Sequence, residues 1–397
     1  MSAALRLSSI THRHPGADQP TLADVDLQVC DGQMVAVLGP SGSGKTTLLR
    51  VAAGLERPES GDVLLDGTSV LGVPPERRDM TVVFQKPHLF PHLSVLDNVA
   101  FADRLRGRSR SRSRAAAQRY LDLVHLGELG GRRPRQLSGG QEQRVALARA
   151  LAAGRRVMLL DEPFSALDTS LRSSMHQLVD EVRAALDPTI VIVTHDLDEA
   201  ALADRVAVLV EGRLEQFGSI QTLYAAPRTL AVARLVGGFN ELPGRVESGE
   251  HHSSLGSFTV PSAVEARGPA VLLIRKERLG LTPVDAGTAV VGRVVQVRQS
   301  GPHQDVVVEL EHPPRGAMLR VAVEARMGTS LRPGDRTGVT VPSPDGVWAV
   351  RDPGEDDSCA AADAPGTPGV CSGATRTSGA TRTSGATRTS AETGSTR

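Results

Sequence analysis

Several residue types are scarce in this sequence, and their scarcity narrows the classes of protein it can belong to. Aromatic residues make up 3% of the 397 residues, and only three residues are lysine, at positions 45, 86 and 276. The 45 basic residues are balanced by 45 acidic residues, so no overall charge draws the chain to nucleic acid or to anionic lipid. Any such binding must therefore be local.

Cysteines and long apolar stretches are also scarce. The three cysteines, Cys30, Cys359 and Cys371, lack the spacing of a metal site or a redox pair, so they do not indicate an oxidising compartment. No run approaches the roughly 18 apolar residues of a membrane span, and the N-terminal segment lacks the apolar core of a signal peptide. We therefore expect a cytosolic protein. If it acts at a membrane, a partner protein supplies the membrane-spanning segment.

The length and the hydrophobic pattern predict two folded domains. One hydrophobic core usually stops growing at roughly 250 to 300 residues, which this chain exceeds. Residues 1–238 alternate helical patterns with near-continuous apolar runs such as VAVLG, VMLLD, TIVIVTH and RVAVLVEG. Strands of a parallel sheet that is buried on both faces need such runs. We therefore expect an α/β domain, with a helical insertion at about residues 87–150.

The pattern changes after residue 238. Residues 239–352 contain alternating apolar and polar positions separated by Gly, Pro and Asp turns, which predicts a small all-β barrel. Residues 353–397 are rich in small and polar residues and end in three copies of SGATRT. Because such a segment cannot bury enough apolar surface to offset its ordering entropy, we predict a disordered tail.

A glycine-rich loop between an apolar strand and a helix is the strongest local motif. Gly39 to Thr46 fit the phosphate-loop pattern GxxxxGK followed by Ser or Thr. Gly42 and Gly44 allow backbone N–H groups to converge on phosphate oxygens, in front of a helix N-terminus. The Lys45 ammonium would reach the β- and γ-phosphates, and the Thr46 hydroxyl would complete a Mg²⁺ shell. The predicted nucleotide-binding residues of this loop are Gly39, Pro40, Ser41, Gly42, Ser43, Gly44, Lys45, Thr46 and Thr47.

A second hydrophobic strand ends in two adjacent carboxylates, Asp161 and Glu162. In isolation such a pair usually faces solvent without a function, but a phosphate loop in the same chain changes that interpretation. Asp161 can then hold Mg²⁺ through water, and Glu162 can polarise the attacking water for an in-line displacement.

The segment LSGGQEQRVALARAL, at residues 137–151, resembles the signature motif of the ATP-binding-cassette (ABC) ATPases. The other family motifs occur in the family order: Gln85 resembles the glutamine loop, residues 165–168 the D-loop, and His195 the switch histidine. The resemblance covers roughly residues 5–238. It implies an ATPase of the P-loop, RecA-like fold that binds ATP and Mg²⁺.

The resemblance also implies a role for each motif residue. It makes Glu162 the general base, His195 a contact of the γ-phosphate, and Gln85 a metal ligand that senses metal and nucleotide. Asp168 would couple two nucleotide sites, because two such domains pack head to tail in this family. The ATP bound by one phosphate loop would then be covered by signature residues of the other domain, namely Ser138, Gly139, Gly140 and Gln141. The implied metal ligands are Thr46, Gln85 and Asp161.

The sequence departs from the family pattern at the position that contacts adenine. Family members have an aromatic ring about 30 residues before the phosphate-loop lysine, and His14 stands at the corresponding position here. An imidazole stacks over less area than a larger aromatic ring. We therefore expect a somewhat weaker affinity for nucleotide.

The C-terminal region favours an importer among the possible classes. Its segments at residues 240–246 and 272–281 are similar to the TOBE or OB-like barrel appended to importer ATPases for ferric iron, polyamines, sulfate, molybdate and sugars. The interval from Gly39 to Leu137 is too short for the long coiled coil of DNA-repair members, and the chain has one cassette rather than two. An exporter ATPase and a soluble ABC ATPase of a macromolecular machine are the alternatives.

An importer subunit of this kind implies a set of partners. These are a second copy of the ATPase, transmembrane permease subunits and, indirectly, an extracytoplasmic solute-binding protein, with the ATPase on the cytoplasmic side of the membrane. Ferric iron or a polyamine is the expected cargo, by resemblance. We expect no nucleic-acid binding, because residues 240–352 offer only Phe258 and Trp348 for base stacking. The arginine-rich segment at residues 104–119 predicts a solvated face, with contact to anionic lipid as the alternative.

Overall fold

The computed structural model describes residues 3–165, 167–253, 255–261, 264, 266–284, 290–300, 303–311, 320–326, 331–341 and 347–352. The predicted disordered tail at residues 353–397 lies outside the described residues.

The N-terminal region contains strands and helices in alternation. Its strands are β1 (Ala3–His12), β2 (Leu22–Cys30), β3 (Met34–Leu38), β4 (Ser60–Leu65), β5 (Thr68–Ser69), β6 (Met80–Val83), β7 (Val157–Asp161), β8 (Thr189–Thr194), β9 (Arg205–Val210) and β10 (Arg213–Gly218). Its α-helices are α1 (Lys45–Ala53), α2 (Val95–Val99), α3 (Phe101–Leu105), α4 (Arg110–Leu123), α5 (Gly139–Ala152), α6 (Thr169–Leu186), α7 (Leu197–Ala201), α8 (Ile220–Ala225) and α9 (Leu230–Val236). Short 3₁₀ turns occur at Pro75–Arg77, Gly127–Leu129 and Pro134–Gln136.

The central sheet has the strand order β10-β9-β3-β8-β7-β6, and all its pairs except β10–β9 are parallel. Both of its faces are buried. Met34, Ala36 and Leu38 of β3 belong to one hydrophobic core, and Val35 and Val37 belong to the core on the other face. This explains the near-continuous apolar runs, and the predicted α/β fold class is confirmed.

Different layers cover the two faces. The antiparallel sheet β2-β1-β4-β5 and helix α1 pack on one face, where Ile10, Leu49 and Val63 join the core. Helices from the segment between β6 and β7, together with α6, cover the other face, where Leu121 of α4, Val145 of α5 and others are fully buried. Helices α2 to α5 thus stand where the sequence predicts a helical insertion.

A paired aspartate holds the arginine-rich helix α4 against α2. The Arg114 guanidinium donates two hydrogen bonds, of 2.9 and 2.7 Å, to the buried carboxylate of Asp97. The bond from Arg114, the largest cause, together with one from the Ser94 hydroxyl, lowers the pKa of Asp97 from 3.8 to about 2, although burial opposes the shift. The two helices are therefore joined by charge as well as by apolar packing.

The C-terminal region is all β apart from one 3₁₀ turn at Lys276–Arg278 among its described residues. Its strands are β11 (Phe239–Glu247), β12 (Glu250–Ser253), β13 (Gly256–Thr259), β14 (Gly268–Arg275), β15 (Gly280–Thr282), β16 (Val291–Ser300), β17 (His303–Leu310), β18 (Arg320–Arg326), β19 (Arg336–Thr340) and β20 (Val347–Arg351). They form two five-stranded antiparallel sheets, of order β13-β12-β11-β14-β20 and β15-β19-β16-β17-β18, around one shared core. The predicted β-rich region is confirmed, with its strands divided between two sheets.

A buried arginine of the C-terminal region binds residues of the N-terminal region. The Arg275 guanidinium, at the end of β14, lies over the rings of Tyr224 and Phe239 and donates to the carbonyl oxygens of Tyr224 and Gly237. Burial lowers the pKa of Arg275, and charge interactions with Tyr224 and Glu277 oppose that shift. Helix α8 and the end of α9 are therefore held directly against the C-terminal sheets.

Across the parts of the chain that the structure describes, no helix has both the length and the apolar character needed to cross a bilayer.

Candidate ATP-binding and hydrolysis site

The predicted site residues meet at one edge of the central sheet. The glycine-rich loop follows β3, Asp161 is the last residue of β7, and His195 directly follows β8. Gln85 comes two residues after the end of β6. In an open parallel sheet, ligands bind outside the carboxyl ends of the strands, so the topology brings these separate motifs to one place.

The loop conformation requires glycine for two reasons, a positive φ angle and a close approach of the backbone. Gly42 and Gly44 have φ angles of 83° and 100°, in the left-handed region that favours glycine. Gly39 has no such φ, but a Cβ there would lie 2.2 Å from the carbonyl oxygen of Leu209. The loop therefore passes close to the neighbouring strand before helix α1 begins at Lys45.

The Lys45 ammonium is held inside the loop. It donates hydrogen bonds of 2.8 Å to the carbonyl oxygens of Gly39 and Pro40. Burial lowers the pKa of Lys45, and the carboxylates of Glu162 and Asp161 oppose that shift. The Ser43 hydroxyl is buried and lacks a hydrogen-bond partner among the described residues. The loop thus offers a cation and a spare hydroxyl donor to a phosphate group.

Two oxygens suited to a magnesium ion lie side by side. The Thr46 hydroxyl donates to Oδ1 of Asp161 over 3.0 Å. Burial raises the pKa of Asp161, while the bond from Thr46 lowers it. A buried carboxylate with a hydroxyl beside it is the donor set that Mg²⁺ prefers, so these residues fit the predicted ion.

The Glu162 backbone turns sharply away from the sheet. Its φ is 43°, in the left-handed region, and its N–H donates to the carbonyl oxygen of Val193 over 3.0 Å. A non-glycine residue in that region costs about 1–3 kcal/mol, and such conformations cluster at functional sites. The turn places Oε1 of Glu162 3.5 Å from Nδ1 of His195.

A serine that sequence reasoning assigned only to the D-loop connects two predicted residues. The Gln85 amide donates to the Ser165 hydroxyl over 3.0 Å, and that hydroxyl donates to the Glu162 carbonyl oxygen over 2.9 Å. Gln85 is therefore tied to the turn that carries the proposed base. No spacing pattern signals this bridge, because it joins residues 80 positions apart.

The loop that carries His195 is fixed by polar contacts that the sequence does not predict. Arg172 of α6 forms a 2.8 Å ion pair with Asp196, whose side chain also caps helix α7. The Thr194 hydroxyl donates over 2.6 Å to the buried carboxylate of Glu199, whose pKa is raised chiefly by burial. The only available signal was the THDLDE segment itself, with its Asp at a helix N-cap.

The signature residues form a helix start elsewhere on the surface. Ser138 caps α5: its N–H donates to Gln141 Oε1 over 3.0 Å, and its hydroxyl accepts from the Gln141 N–H at 3.4 Å. Gly139 has open space where a Cβ would stand, whereas Gly140 packs against Leu171. Within the described residues, no hydrogen bond or ion pair joins residues 138–141 to the phosphate loop.

Asp168 is likewise a helix cap, at the N-terminus of α6 in the same chain. Its carboxylate accepts from the Leu171 N–H at 2.9 Å and from the Ser170 hydroxyl at 2.8 Å, and these bonds lower its pKa, the backbone bond contributing most. One copy of the chain therefore brings together the phosphate loop, Asp161, Glu162, Gln85 and His195. It leaves the signature motif and Asp168 outside that constellation.

The structure places His14 beside the end of the phosphate loop. Its Nε2 lies 3.4 Å from the Thr47 hydroxyl, and its half-exposed ring stands edge-on to the ring of His12, with centroids 4.9 Å apart. The glutamate Glu56 faces both histidines. The contacts of His14 with His12 and Glu56 have no signal in the sequence.

Much of the arginine-rich segment is paired inside the helical region. Ion pairs of 4.0 Å or less join four of its arginines to two buried aspartates: Arg106 and Arg108 to Asp103, and Arg110 and Arg114 to Asp97. These pairs neutralise part of the cationic cluster that composition alone shows. They leave less charge for lipid than the sequence predicts.

Comparisons with known proteins decide the family. Residues 22–165 match the model of the ABC transporter family. The chain is 39% identical over 341 residues to the spermidine/putrescine import ATP-binding protein of Oleidesulfovibrio alaskensis, a match that covers 81% of this chain and 91% of that relative. This chain belongs to the ABC transporter family. The identification of an importer-type ABC ATPase, which hydrolyses ATP, is thereby confirmed.

Other ABC relatives carry different names for the transported solute. The chain is 45% identical to the sulfate/thiosulfate import ATP-binding protein of Caulobacter vibrioides, over 70% of this chain and 83% of that relative. It is 42% identical to the Fe(3+) ions import ATP-binding protein of Brucella abortus, over 73% of this chain and 84% of that relative. The relatives agree on an importer ATPase and differ on the cargo.

Solved structures support the ABC fold. One is a dimeric ATP-binding cassette in a post-hydrolysis state, bound to ADP and Pi. It is 31% identical to this chain with a TM-score of 0.50, and the match covers 54% of this chain and 98% of that chain. The cbiO1 protein of Clostridium perfringens, part of the cbiONQ transporter complex, is 29% identical, with a TM-score of 0.53 and coverage of 57% and 92%. These likenesses extend over the cassette part of the chain.

Proposed function

We propose that this ABC ATPase powers solute import through permease partners, with Glu162 as the general base for ATP hydrolysis. The observation that carries the proposal is the convergence of Lys45, Asp161, Glu162 and His195 at one sheet edge. The site residues act as follows.

The phosphate loop binds the nucleotide. Its backbone N–H groups and the N-terminus of α1 face the phosphates, with Ser41 to Thr47 lining the loop and the Ser43 hydroxyl free to donate. Lys45 would exchange its bonds to Gly39 and Pro40 for phosphate oxygens, which stabilises the spread negative charge of the transition state. His14, beside Thr47, would lie under the adenine.

Thr46, Asp161 and Gln85 are the residues that would hold Mg²⁺. The ion, when bound, supplies Lewis-acid stabilisation of the phosphate oxygens. Thr46 and Asp161 already lie 3.0 Å apart, and Gln85 is oriented by its bond to Ser165. The chain's own contribution is to fix these oxygens before nucleotide arrives.

The carboxylate of Glu162 takes the proton from the attacking water. The water oxygen forms a bond to the γ-phosphorus while the bond to the β,γ-bridging oxygen breaks, giving ADP and phosphate. His195, 3.5 Å from Glu162, donates to the γ-phosphate and orients the carboxylate. The left-handed turn at Glu162 and the Ser165 bridge hold the base in place.

A complete site needs a second copy of the chain. The free helix start at Ser138–Gln141 suits a γ-phosphate, because its N-terminal N–H groups attract negative charge and Gly139 leaves room for close approach. Head-to-tail packing of two copies would bring this motif over the partner's nucleotide. Asp168 at the same interface would couple the two sites.

The glutamine loop is the proposed contact with the permease. Arg149 of α5 donates over 2.9 Å to the carbonyl oxygens of Pro87 and His88, and its guanidinium lies 5.6 Å from the centre of the Phe90 ring. This arginine would transmit movement of the signature helix to the groove around Gln85 and residues 90–95. The permease would thereby hold the ATPase at the cytoplasmic side of the membrane.

The proposed cargo is ferric iron or a polyamine. The relatives include proteins named for spermidine/putrescine import and for Fe(3+) import. The C-terminal strands β11–β20 would support the dimer or regulate it rather than contact the solute.

A pull-down tests the transport assignment. The tagged Glu162→Gln protein is recovered with ATP from detergent-solubilised membranes of its own cells, and co-purifying proteins are identified by mass spectrometry. The proposal expects a polytopic membrane protein, together with a solute-binding protein whose ligand names the cargo. Ribosomes or DNA-associated proteins in its place would overturn the importer and leave the ATPase chemistry intact.

A further inference from the structure

Two histidines and a glutamate converge at the end of β1. Nε2 of His12 lies 3.2 Å from Oε2 of Glu56, and Nδ1 of His14 lies 4.0 Å from the same oxygen. All three ligand atoms lie within 4.8 Å of one another. From these residues we propose a binding site for a divalent transition metal, represented by Zn²⁺, that is separate from the magnesium position of the hydrolysis site.

Each histidine ring has one nitrogen in a hydrogen bond away from Glu56. The lone pair of its other nitrogen then faces Glu56. Nδ1 of His12 lies 3.0 Å from the Arg57 carbonyl oxygen, which can only accept, so this nitrogen carries the proton. The lone pair of neutral His12 is then on Nε2, facing Glu56. When Nε2 of His14 donates to the Thr47 hydroxyl, 3.4 Å away, the lone pair of His14 is on Nδ1 and faces the same carboxylate. Ligand histidines in metal sites are oriented by such bonds.

This arrangement leaves buried polar atoms whose bonding capacity a cation would satisfy. Nε2 of His12 and Oε2 of Glu56 are buried and have no hydrogen-bond partner among the described residues. The His12 side chain is 9% exposed and that of Glu56 is 21% exposed, so water reaches them little. A buried pair of acceptors facing each other is costly unless a proton or a metal ion lies between them. The Arg50 guanidinium binds the other oxygen of Glu56, Oε1, at 3.2 Å.

The donor set and its spacing suit Zn²⁺. Two imidazole nitrogens and a carboxylate oxygen, each about 2.0–2.2 Å from the ion, lie roughly 3.4 Å apart in a tetrahedral site. The two distances to Glu56 are 3.2 and 4.0 Å, and the three ligand atoms lie within 4.8 Å of one another, so His14, whose side chain is 46% exposed, would move closer to the other two ligands. Because His14 faces solvent, the fourth position would be open to water. The two imidazole ligands favour such an ion over Mg²⁺.

The test measures binding of Zn²⁺ alone by isothermal titration calorimetry, without nucleotide, to the full chain in the presence of excess Mg²⁺. The proposal expects one tight site per chain, weakened about tenfold or more in His14→Phe and in Glu56→Gln. His14→Phe keeps an aromatic ring at an exposed position, so the fold is retained. Since the probe is metal alone, the result does not depend on whether the chain hydrolyses ATP.

Two control variants locate the ion. His125, which faces Glu181 at 2.8 Å on the surface, forms a matched histidine–glutamate pair without a third ligand among the described residues, and His125→Gln should leave Zn²⁺ binding unchanged. His195 faces Glu162 at 3.5 Å in the hydrolysis site. Loss of binding in His195→Gln but not in His14→Phe would put the ion at that site and overturn the proposal. Absence of Zn²⁺ binding to the unmodified chain would overturn it as well.

Discussion

The hydroxyl of Thr46 donates to Oδ1 of Asp161 over 3.0 Å, joining the first turn of α1 to the end of β7. These residues are 115 positions apart, and the parallel sheet alone brings them together. The bond shows that the two motifs belong to one site. It also defines where a divalent cation would be held.

Asp161→Asn should separate magnesium binding from nucleotide binding. The amide oxygen can still accept from Thr46, but the charge that attracts the ion is lost. We expect Mg²⁺ to tighten nucleotide binding in the original chain and to have little effect in the variant, whose hydrolysis should fall at least about 100-fold. Titration of a fluorescent ATP analogue with and without Mg²⁺ measures this. An unchanged magnesium effect would remove Asp161 from the metal site.

Lys45→Ala should abolish nucleotide binding itself. The variant loses the cation that the loop carbonyl groups of Gly39 and Pro40 hold in position for the phosphates. Equilibrium dialysis with ATP gives the dissociation constant, which we expect to rise at least about 100-fold. Lys86→Ala removes a lysine within the glutamine loop, outside the phosphate loop, and serves as the control, with its ATP affinity expected to stay the same. Full binding by Lys45→Ala would contradict the phosphate-loop assignment.

His14→Tyr should tighten nucleotide binding by a few-fold, because a larger ring stacks on more of the adenine. The position beside Thr47 has room for it, since the His14 side chain is half-exposed. Calorimetric titration with ATP in the presence of EDTA measures the affinity without interference from metal. Equal affinities in the two proteins would show that residue 14 does not contact the base.

Asp97→Asn should destabilise the helical region in a pH-dependent way. The pKa of Asp97 is lowered from 3.8 to about 2, so its ionised form stabilises the fold above pH 4 and that contribution is lost as the pH falls toward 2. The variant should therefore melt about 2–4 °C lower at pH 7, with the difference shrinking as the pH falls below 4. Scanning calorimetry of both proteins at pH 7, 5 and 3.5 tests this. A difference that is constant with pH would rule out the Arg114–Asp97 pair as its cause.

The parts of the site that local sequence determines were predictable. The loop at residues 39–46 encodes its own conformation, because Gly42 and Gly44 permit positive φ angles and a helix follows. The central strands were predictable for a similar reason, since burial on both faces demands continuous apolar runs such as that of β3. Motif order then placed Asp161 and His195 at the same sheet edge.

Contacts between distant polar residues were not predictable. The Gln85–Ser165 bridge and the His12–Glu56 pair join residues 80 and 44 positions apart with no periodic pattern to signal them. The division of β11–β20 between two sheets depends on register that alternation alone does not fix. The proposed contact of Ser138 with a nucleotide would involve two copies of the chain, so one copy does not display it.

Replacement of Glu162 by Gln tests the central claim most directly. The variant keeps the shape and backbone of the base but cannot accept a proton from water. We measure steady-state ATP hydrolysis and, by sedimentation, the fraction of dimer formed with ATP. The account predicts hydrolysis reduced at least about 100-fold, together with dimers that persist in ATP and dissociate in ADP. Substantial residual hydrolysis by the variant would contradict the assignment of Glu162 as the catalytic base.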